Sequence, residues 1–220
     1  VGDPAGSHDP PGSPAPGASP AGDPAPGASP AGDPGSGASP AGDPGSGEHH
    51  EHGPGDPHFW TDPLAMKAVV DGLAGRLAAD GIDVHAGQAA LDEELIALDA
   101  EIAALLAPIP AERRQLVTGH ESMGYFADRY GFTLVGAVIP GLSSQGEVSA
   151  QALGALGEAI RAAGVSVIFA EVGTPQAVAD AIAAETGARL VGLPSHALPS
   201  DGTYQTYLRE MARIVAEALG

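Results

Sequence analysis

The sequence predicts an α/β fold, a parallel sheet flanked by helices, preceded by a long helix and a disordered low-complexity segment. Three observations predict it. The apolar residues crowd into the part beyond residue 55. A long stripe of leucines at helical spacing follows. From Pro110 onward, short apolar runs alternate with helical patterns. Strand–helix alternation with apolar strands is the signature of a parallel sheet covered on both faces.

Up to about Gly55 the chain is almost entirely Gly, Pro, Ala, Ser, Asp and His, and Val1 is its one branched apolar residue. Such a stretch cannot bury enough apolar surface to offset the entropy of ordering it. It repeats itself: Gly17 opens GASPAGDP, and the same eight residues return at Gly27 and Gly37. A ten-residue period this poor in apolar side chains makes a flexible, partly extended tract rather than a solenoid. It ends in Glu48-His49-His50-Glu51-His52. The expected organisation is therefore 1–55 disordered repeat with a His-rich end, 56–110 helical, and 111–220 an α/β lobe.

The elements follow in order. Asp62-Pro63 starts a helix, because Asp caps the free N–H groups and Pro at the first position loses no needed bond. It runs over 63–79 and stops at Gly81. Leu91, Leu95, Leu98, Ile102 and Leu105 then form one helical stripe, ended by Pro108 and Pro110. Strands are expected over 115–118, 132–139, 165–170 and 188–193. Helices are expected over 121–130, 149–163, 174–186 and 203–219, with Gly164 and Gly187 closing two of them. Ligands in such sheets sit beyond the carboxyl ends of strands. His120, Gly141 and Asp201 all fall in loops that follow predicted strands.

Charge narrows the function. The net charge is −19, and the first 55 residues contain no Lys or Arg. Nucleic acid is excluded as a partner, since phosphate contacts need clustered cations, and an anionic membrane surface is disfavoured for the same reason. There are no cysteines, so neither a thiolate metal site nor a cysteine nucleophile is available. No apolar run is long enough to cross a membrane as a helix. The chain begins at Val1 with no signal segment in view, as a mature form or a fragment would.

Three segments carry chemistry: Asp56-Pro57-His58-Phe59-Trp60, then Gly119-His120-Glu121-Ser122-Met123-Gly124-Tyr125-Phe126, then Ser200-Asp201-Gly202-Thr203-Tyr204. Each offers an imidazole or a carboxylate just before a helix, and both are good ligands for zinc and related divalent ions. His120-Glu121 begins like the helix of a zinc hydrolase, but Gly124 stands where its second histidine must be. No nucleophile elbow or Walker loop is present. The expectation is a binding protein rather than an enzyme.

Together, DPHFW, GHESMGYFADRYG and DGTYQTYL resemble the metal-binding solute receptors of ABC importers for zinc and manganese. The acidic, His-rich tract ahead of DPHFW resembles the loop of the zinc-specific members. The resemblance covers 56–220. It implies a two-lobed solute-binding fold with the metal between lobes joined by a rigid connecting helix, here the one around Leu91 to Leu106. It implies His58, His120 and Asp201 as metal ligands, with water or a tail histidine completing the set. It also implies that an amino-terminal part, with a further histidine ligand, belongs ahead of this segment. The function implied is an extracytoplasmic Zn2+ receptor, periplasmic or membrane-anchored. It would act as a monomer with an ABC importer permease and, as a further partner, a periplasmic metallochaperone. A Mn2+ receptor and a surface adhesin or metal buffer are the alternatives on the same scaffold; a zinc-dependent hydrolase ranks below them.

Other residues are secondary. Glu171 ends a strand facing the cleft and is a further ligand candidate. His49, His50 and His52 would catch zinc weakly on a flexible tether. Glu121 reads as a first-turn carboxylate favoured by the helix dipole, with orientation of His120 as the alternative. His196 reads as a solvated loop histidine, with replacement ligand as the alternative, and His85 as exposed. Trp60, Phe59, Tyr125 and Phe126 read as packing aromatics.

Overall fold

The computed structural model describes residues 55–146 and 148–220. The repeat and the His49, His50 and His52 cluster lie outside them. The described chain runs α1 (Pro63–Ala79), α2 (His85–Leu106), β1 (Gln115–Thr118), α3 (Gly124–Tyr130), β2 (Thr133–Ala137), α4 (Ala150–Ala163), β3 (Val167–Glu171), α5 (Gln176–Thr186), β4 (Arg189–Leu193) and α6 (Tyr204–Leu219). The four strands make one parallel sheet in the order β2-β1-β3-β4. None of the described helices is long and apolar enough to cross a membrane.

The period-2 alternation of strands sorts the core into two layers. Leu116, Val167 and Phe169 face one side, where they meet α2, α3 and α6 through Leu98, Ile102, Leu106, Phe126, Leu208, Met211 and Val215. Val117 and Ile168 face the other side and meet α4 and α5 through Leu156, Ile160 and Ile182. Helix α6 is the most sharply divided element. Leu208, Met211, Ala212 and Val215 are buried at helical spacing, while Arg209 and Arg213 face solvent.

Capping explains most of the helix ends. The Asp62 carboxylate accepts from Leu64 N at 2.7 Å, with Pro63 at the first position. Ser149 and Thr203 cap α4 and α6 through their hydroxyls. Gly164 and Gly187 close α4 and α5 at φ 69° and 75°, where a side chain would be strained.

Two expectations are corrected. Helix α3 begins at Gly124, not at residue 121, so Glu121 is an exposed loop residue rather than a first-turn carboxylate. The loop is held by a local bond and a tertiary one: Thr118 Oγ1 donates to His120 O at 2.6 Å and Glu121 N to Gly141 O at 3.0 Å. On α2 the buried stripe is Leu95, Leu98, Ile102 and Leu106, while Leu105 is 39% exposed. The last step of the stripe is four residues, not three.

Candidate metal centre

The sheet order reverses between β1 and β3: the chain leaves β1 for β2 on one side and returns to β3 on the other. The crevice beyond the strand ends at such a switch point is where open α/β sheets hold ligands. Register decides which residues meet there. Thr118 pairs with Phe169, so two residues on, His120 comes level with Glu171. Glu171 in turn pairs with Leu193, so the chain leaving β4 carries Ser195 and His196 past the same carboxylate.

His120 is buried, and Glu171 grips it twice. The Glu171 Oε2 atom accepts from His120 N at 2.9 Å and lies 2.9 Å from His120 Nδ1. The other carboxylate oxygen accepts from Ser122 Oγ. Burial would raise the Glu171 pKa. Hydrogen bonds from His120, Ser122 and Ser195 outweigh it, so the carboxyl is held below its ordinary value. Gly119 makes this approach possible: a Cβ there would stand 2.1 Å from Thr174 Oγ1 and 3.0 Å from Glu171 Oε2.

His58 is built the same way from the other motif. Asp56 Oδ1 accepts from His58 N at 2.9 Å and lies 2.8 Å from His58 Nδ1. The His58 carbonyl is tied by Thr61 N at 3.1 Å and Thr61 Oγ1 at 3.0 Å, closing a single 3-10 turn that leads into Asp62 and α1. The turn is braced against α6 by Tyr204, whose hydroxyl donates to Trp60 O at 3.0 Å.

The third imidazole is His196. Its ring centroid lies 5.8 Å from that of His58 and 4.9 Å from that of His120, and the His58 and His120 rings are 5.2 Å apart. One nitrogen from each of the three lies within 4.8 Å of the others. Nitrogens around a tetrahedral zinc stand about 3.3 Å apart, given Zn–N bonds of about 2.0–2.1 Å. Closing the widest separation by up to about 1.5 Å therefore fits the set to an ion. His196 is exposed where His58 and His120 are buried. Partial burial, with the neighbouring imidazoles His120 and His58, lowers its pKa against a smaller opposing pull from Glu171. A neutral imidazole is the form that ligates.

His196 is an exposed loop residue, as its Pro-flanked sequence suggests, and it also lies beside the other two imidazoles, the alternative that its sequence leaves open. Asp201 is not brought into the triad. Its carboxylate accepts from Thr203 N at 3.0 Å and Thr206 Oγ1 at 2.7 Å, ordering the turn into α6, and these bonds lower its pKa. Glu171 backs His120 from the Nδ1 side. His85 is exposed at the start of α2. Phe126 is fully buried, whereas Trp60 is half-buried against the core. The signal that would have exposed His196 is its place just past β4, three residues beyond Leu193, close to that of His120, two residues beyond Thr118 at the end of β1.

Comparison with known proteins agrees with this geometry. Residues 24–218 match the family model described as zinc-uptake complex component A, periplasmic. A high-affinity zinc uptake system protein ZnuA of Paracoccus denitrificans is 33% identical over 173 residues, covering 75% of this chain and 52% of the relative. The periplasmic zinc-binding protein TroA of Treponema pallidum superposes with a TM-score of 0.63 at 27% identity, over 75% of this chain and 64% of that one. The laminin-binding protein Lmb of Streptococcus agalactiae, described as bifunctional with adhesin and metal-transporting activity, gives a TM-score of 0.62 at 27% identity, over 75% and 65%. The chain spans about half the length of the Paracoccus relative. With its parallel sheet, its three clustered imidazoles and a match over nearly all of its length, this chain belongs to the periplasmic zinc-uptake component A family.

Proposed function

We propose that this chain carries the metal-holding part of an extracytoplasmic zinc receptor, which captures Zn2+ and hands it to the permease of an ABC importer. The observation that carries the reading is the approach of His58, His120 and His196 to within 4.8 Å of one another. Two of the three have a carboxylate at Nδ1. Such backing fixes the ring and raises its basicity as a ligand. With Nδ1 engaged, Nε2 is the nitrogen offered to the ion. Three imidazoles leave one position of a tetrahedral ion to water. A site of that kind binds firmly yet can release, unlike a closed thiolate site. Import as a monomer, and supply by a periplasmic metallochaperone, belong to the same reading.

The donor set favours zinc over manganese, because imidazole suits the borderline ion while manganese prefers carboxylate and water. Calorimetric titration tests both points. One zinc per chain is expected, with binding lost in His58→Ala and in His120→Ala, and manganese is expected to bind more weakly under matched conditions. Undiminished zinc binding in both variants would remove the site. Tighter manganese binding would remove the choice of metal.

A surface adhesin on the same scaffold is the second reading, and the likeness to Lmb favours it. Growth of a deletion strain in zinc-depleted medium separates the two. A growth defect cured by added zinc marks import, and normal growth marks adhesion.

A further inference from the structure

A cavity of about 350 Å³ opens beside the three imidazoles, lined by Trp60, Ser195, His196, Leu198, Tyr204 and Tyr207. His196 belongs both to this cavity and to the cluster of metal-ligand candidates. Trp60 joins the two a second time: its ring stands edge-on to that of His58 at 5.2 Å and to that of His196 at 6.4 Å. The polar atoms of the walls are already engaged. Tyr204 spends its hydroxyl on Trp60 O at 3.0 Å, and Tyr207 on Ser195 O at 2.6 Å. The Ser195 hydroxyl lies 2.9 Å from His196 Nδ1. Among the described residues, no Asp, Glu, Lys or Arg lines the cavity. What it offers a guest is aromatic rings and the side chain of Leu198, which is 72% exposed. Small-molecule sites are mostly apolar cavities that begin at about 300 Å³.

We propose that this cavity seats a small, neutral N-heteroaromatic molecule whose ring nitrogen takes the coordination position that three imidazoles leave open, so that zinc is held as a mixed protein–organic complex. The inference rests on the zinc-receptor reading and deepens it by naming the class of co-ligand. Three features choose that chemistry. The donor atom must reach the ion from the cavity side, which is the side of the one exposed imidazole, His196. The body must be flat and apolar, because ring-on-ring contact with Trp60 and Tyr204 adds to the gain from burial alone. It must carry no further charge, because these walls hold no counter-charge and would desolvate one at a cost. Free amino acids and polycarboxylate chelators fail the last condition. Water fills the coordination position but leaves the aromatic walls uncovered.

The test uses the full chain, loaded with zinc for affinity or with cobalt for its spectrum. The probe is 4-phenylimidazole, and imidazole, which lacks the second ring, is its control. Trp60 is the sole tryptophan of the chain, so its fluorescence reports the cavity directly. The probe is expected to change both the Trp60 emission and the cobalt d–d bands of the loaded protein. It is expected to bind about 30-fold more tightly than imidazole, as burial of a phenyl ring provides. Leu198→Gln puts an uncharged amide at the exposed mouth of the cavity. It is expected to leave zinc affinity unchanged and to cut the preference for the probe over imidazole about five- to tenfold. If wild type holds zinc at the three histidines but binds probe and control alike, or if Leu198→Gln keeps the preference whole, the cavity is no ligand seat and the receptor stands. Equal binding of the probe with and without metal, or removal of the metal by the probe, overturns the co-ligand as well. If wild type holds no ion at these histidines, the receptor reading and the co-ligand fall together.

Discussion

Replacing His196 by alanine separates the two ligand sets that sequence and structure assign. The sequence points to His58, His120 and Asp201, whereas the structure gathers His58, His120 and His196. Zinc held by four protein ligands is worth about 10–16 kcal/mol, or about 3 kcal/mol for each. Water refills part of a vacated position, so loss of one imidazole is expected to cost about 2–3 kcal/mol, roughly 30- to 150-fold in Kd. His196→Ala should therefore weaken zinc by that factor. It should barely move the melting temperature of the metal-free protein, because an exposed ring contributes little packing. Asp201→Ala should do the reverse. It removes the acceptor for Thr203 N and Thr206 Oγ1 at the start of α6 and should lower the melting temperature slightly, with zinc affinity intact. Competition with a chromogenic chelator of known affinity resolves both effects. A collapse of affinity in Asp201→Ala, with none in His196→Ala, would refute the assignment built on the three rings.

Two further outcomes are expected. Glu171 has its folded pKa below the ordinary 4.5, so the stability it confers is present above that pH and is lost as the pH falls through the lower folded value. His196 has its folded pKa below 6.5, so below that pH the unfolded chain takes up the proton first and stability begins to fall. Thermal melts of the metal-free protein should show both losses, with the more acidic one absent in Glu171→Gln; an unchanged acid limb in that variant would contradict the ionised, hydrogen-bonded Glu171. Gly119→Ala places a methyl 2.1 Å from Thr174 Oγ1 and 3.1 Å from Glu171 Cβ. It should destabilise the fold by about 1–3 kcal/mol and weaken zinc by displacing Glu171 from His120, whereas wild-type melting and affinity would show that the strand ends have slack.

Much of the fold was legible because its signals are local. Asp62-Pro63, Gly164 and Gly187 mark helix ends by backbone chemistry that needs no distant partner. The helical spacing of Leu95, Leu98 and Ile102 declares a buried face wherever the rest of the chain lies. Leu105 departs from its predicted place for the opposite reason. Whether residue 105 or 106 turns inward depends on where α6 and the sheet sit against α2, which no local spacing encodes. The first turn of α3 failed likewise. Residues 121–123 have helix-compatible side chains, but Glu121 N donating to Gly141 O and Ser122 Oγ donating to Glu171 hold them as a loop.

The site divides along the same line. His58 and His120 were legible because each sits in a motif that brings part of its own support. Asp56 lies two residues from His58, and Gly119 beside His120 clears the way for a carboxylate. His196 brings only Ser195, an ordinary loop neighbour. What makes it a ligand candidate is 51 residues from His120 to Glu171 and then one step of sheet register to Leu193. Asp201 is a ligand by family resemblance, yet its position before a helix accounts for it without a metal. A carboxylate there is consumed by the N–H and hydroxyl groups of the turn it caps. A carboxylate therefore does opposite things in the turn before α6 and at the end of β3. Asp201 spends its oxygens on its own loop. Glu171, buried at the switch point, spends them on the loop after β1, at His120 and Ser122, 51 residues earlier in the chain.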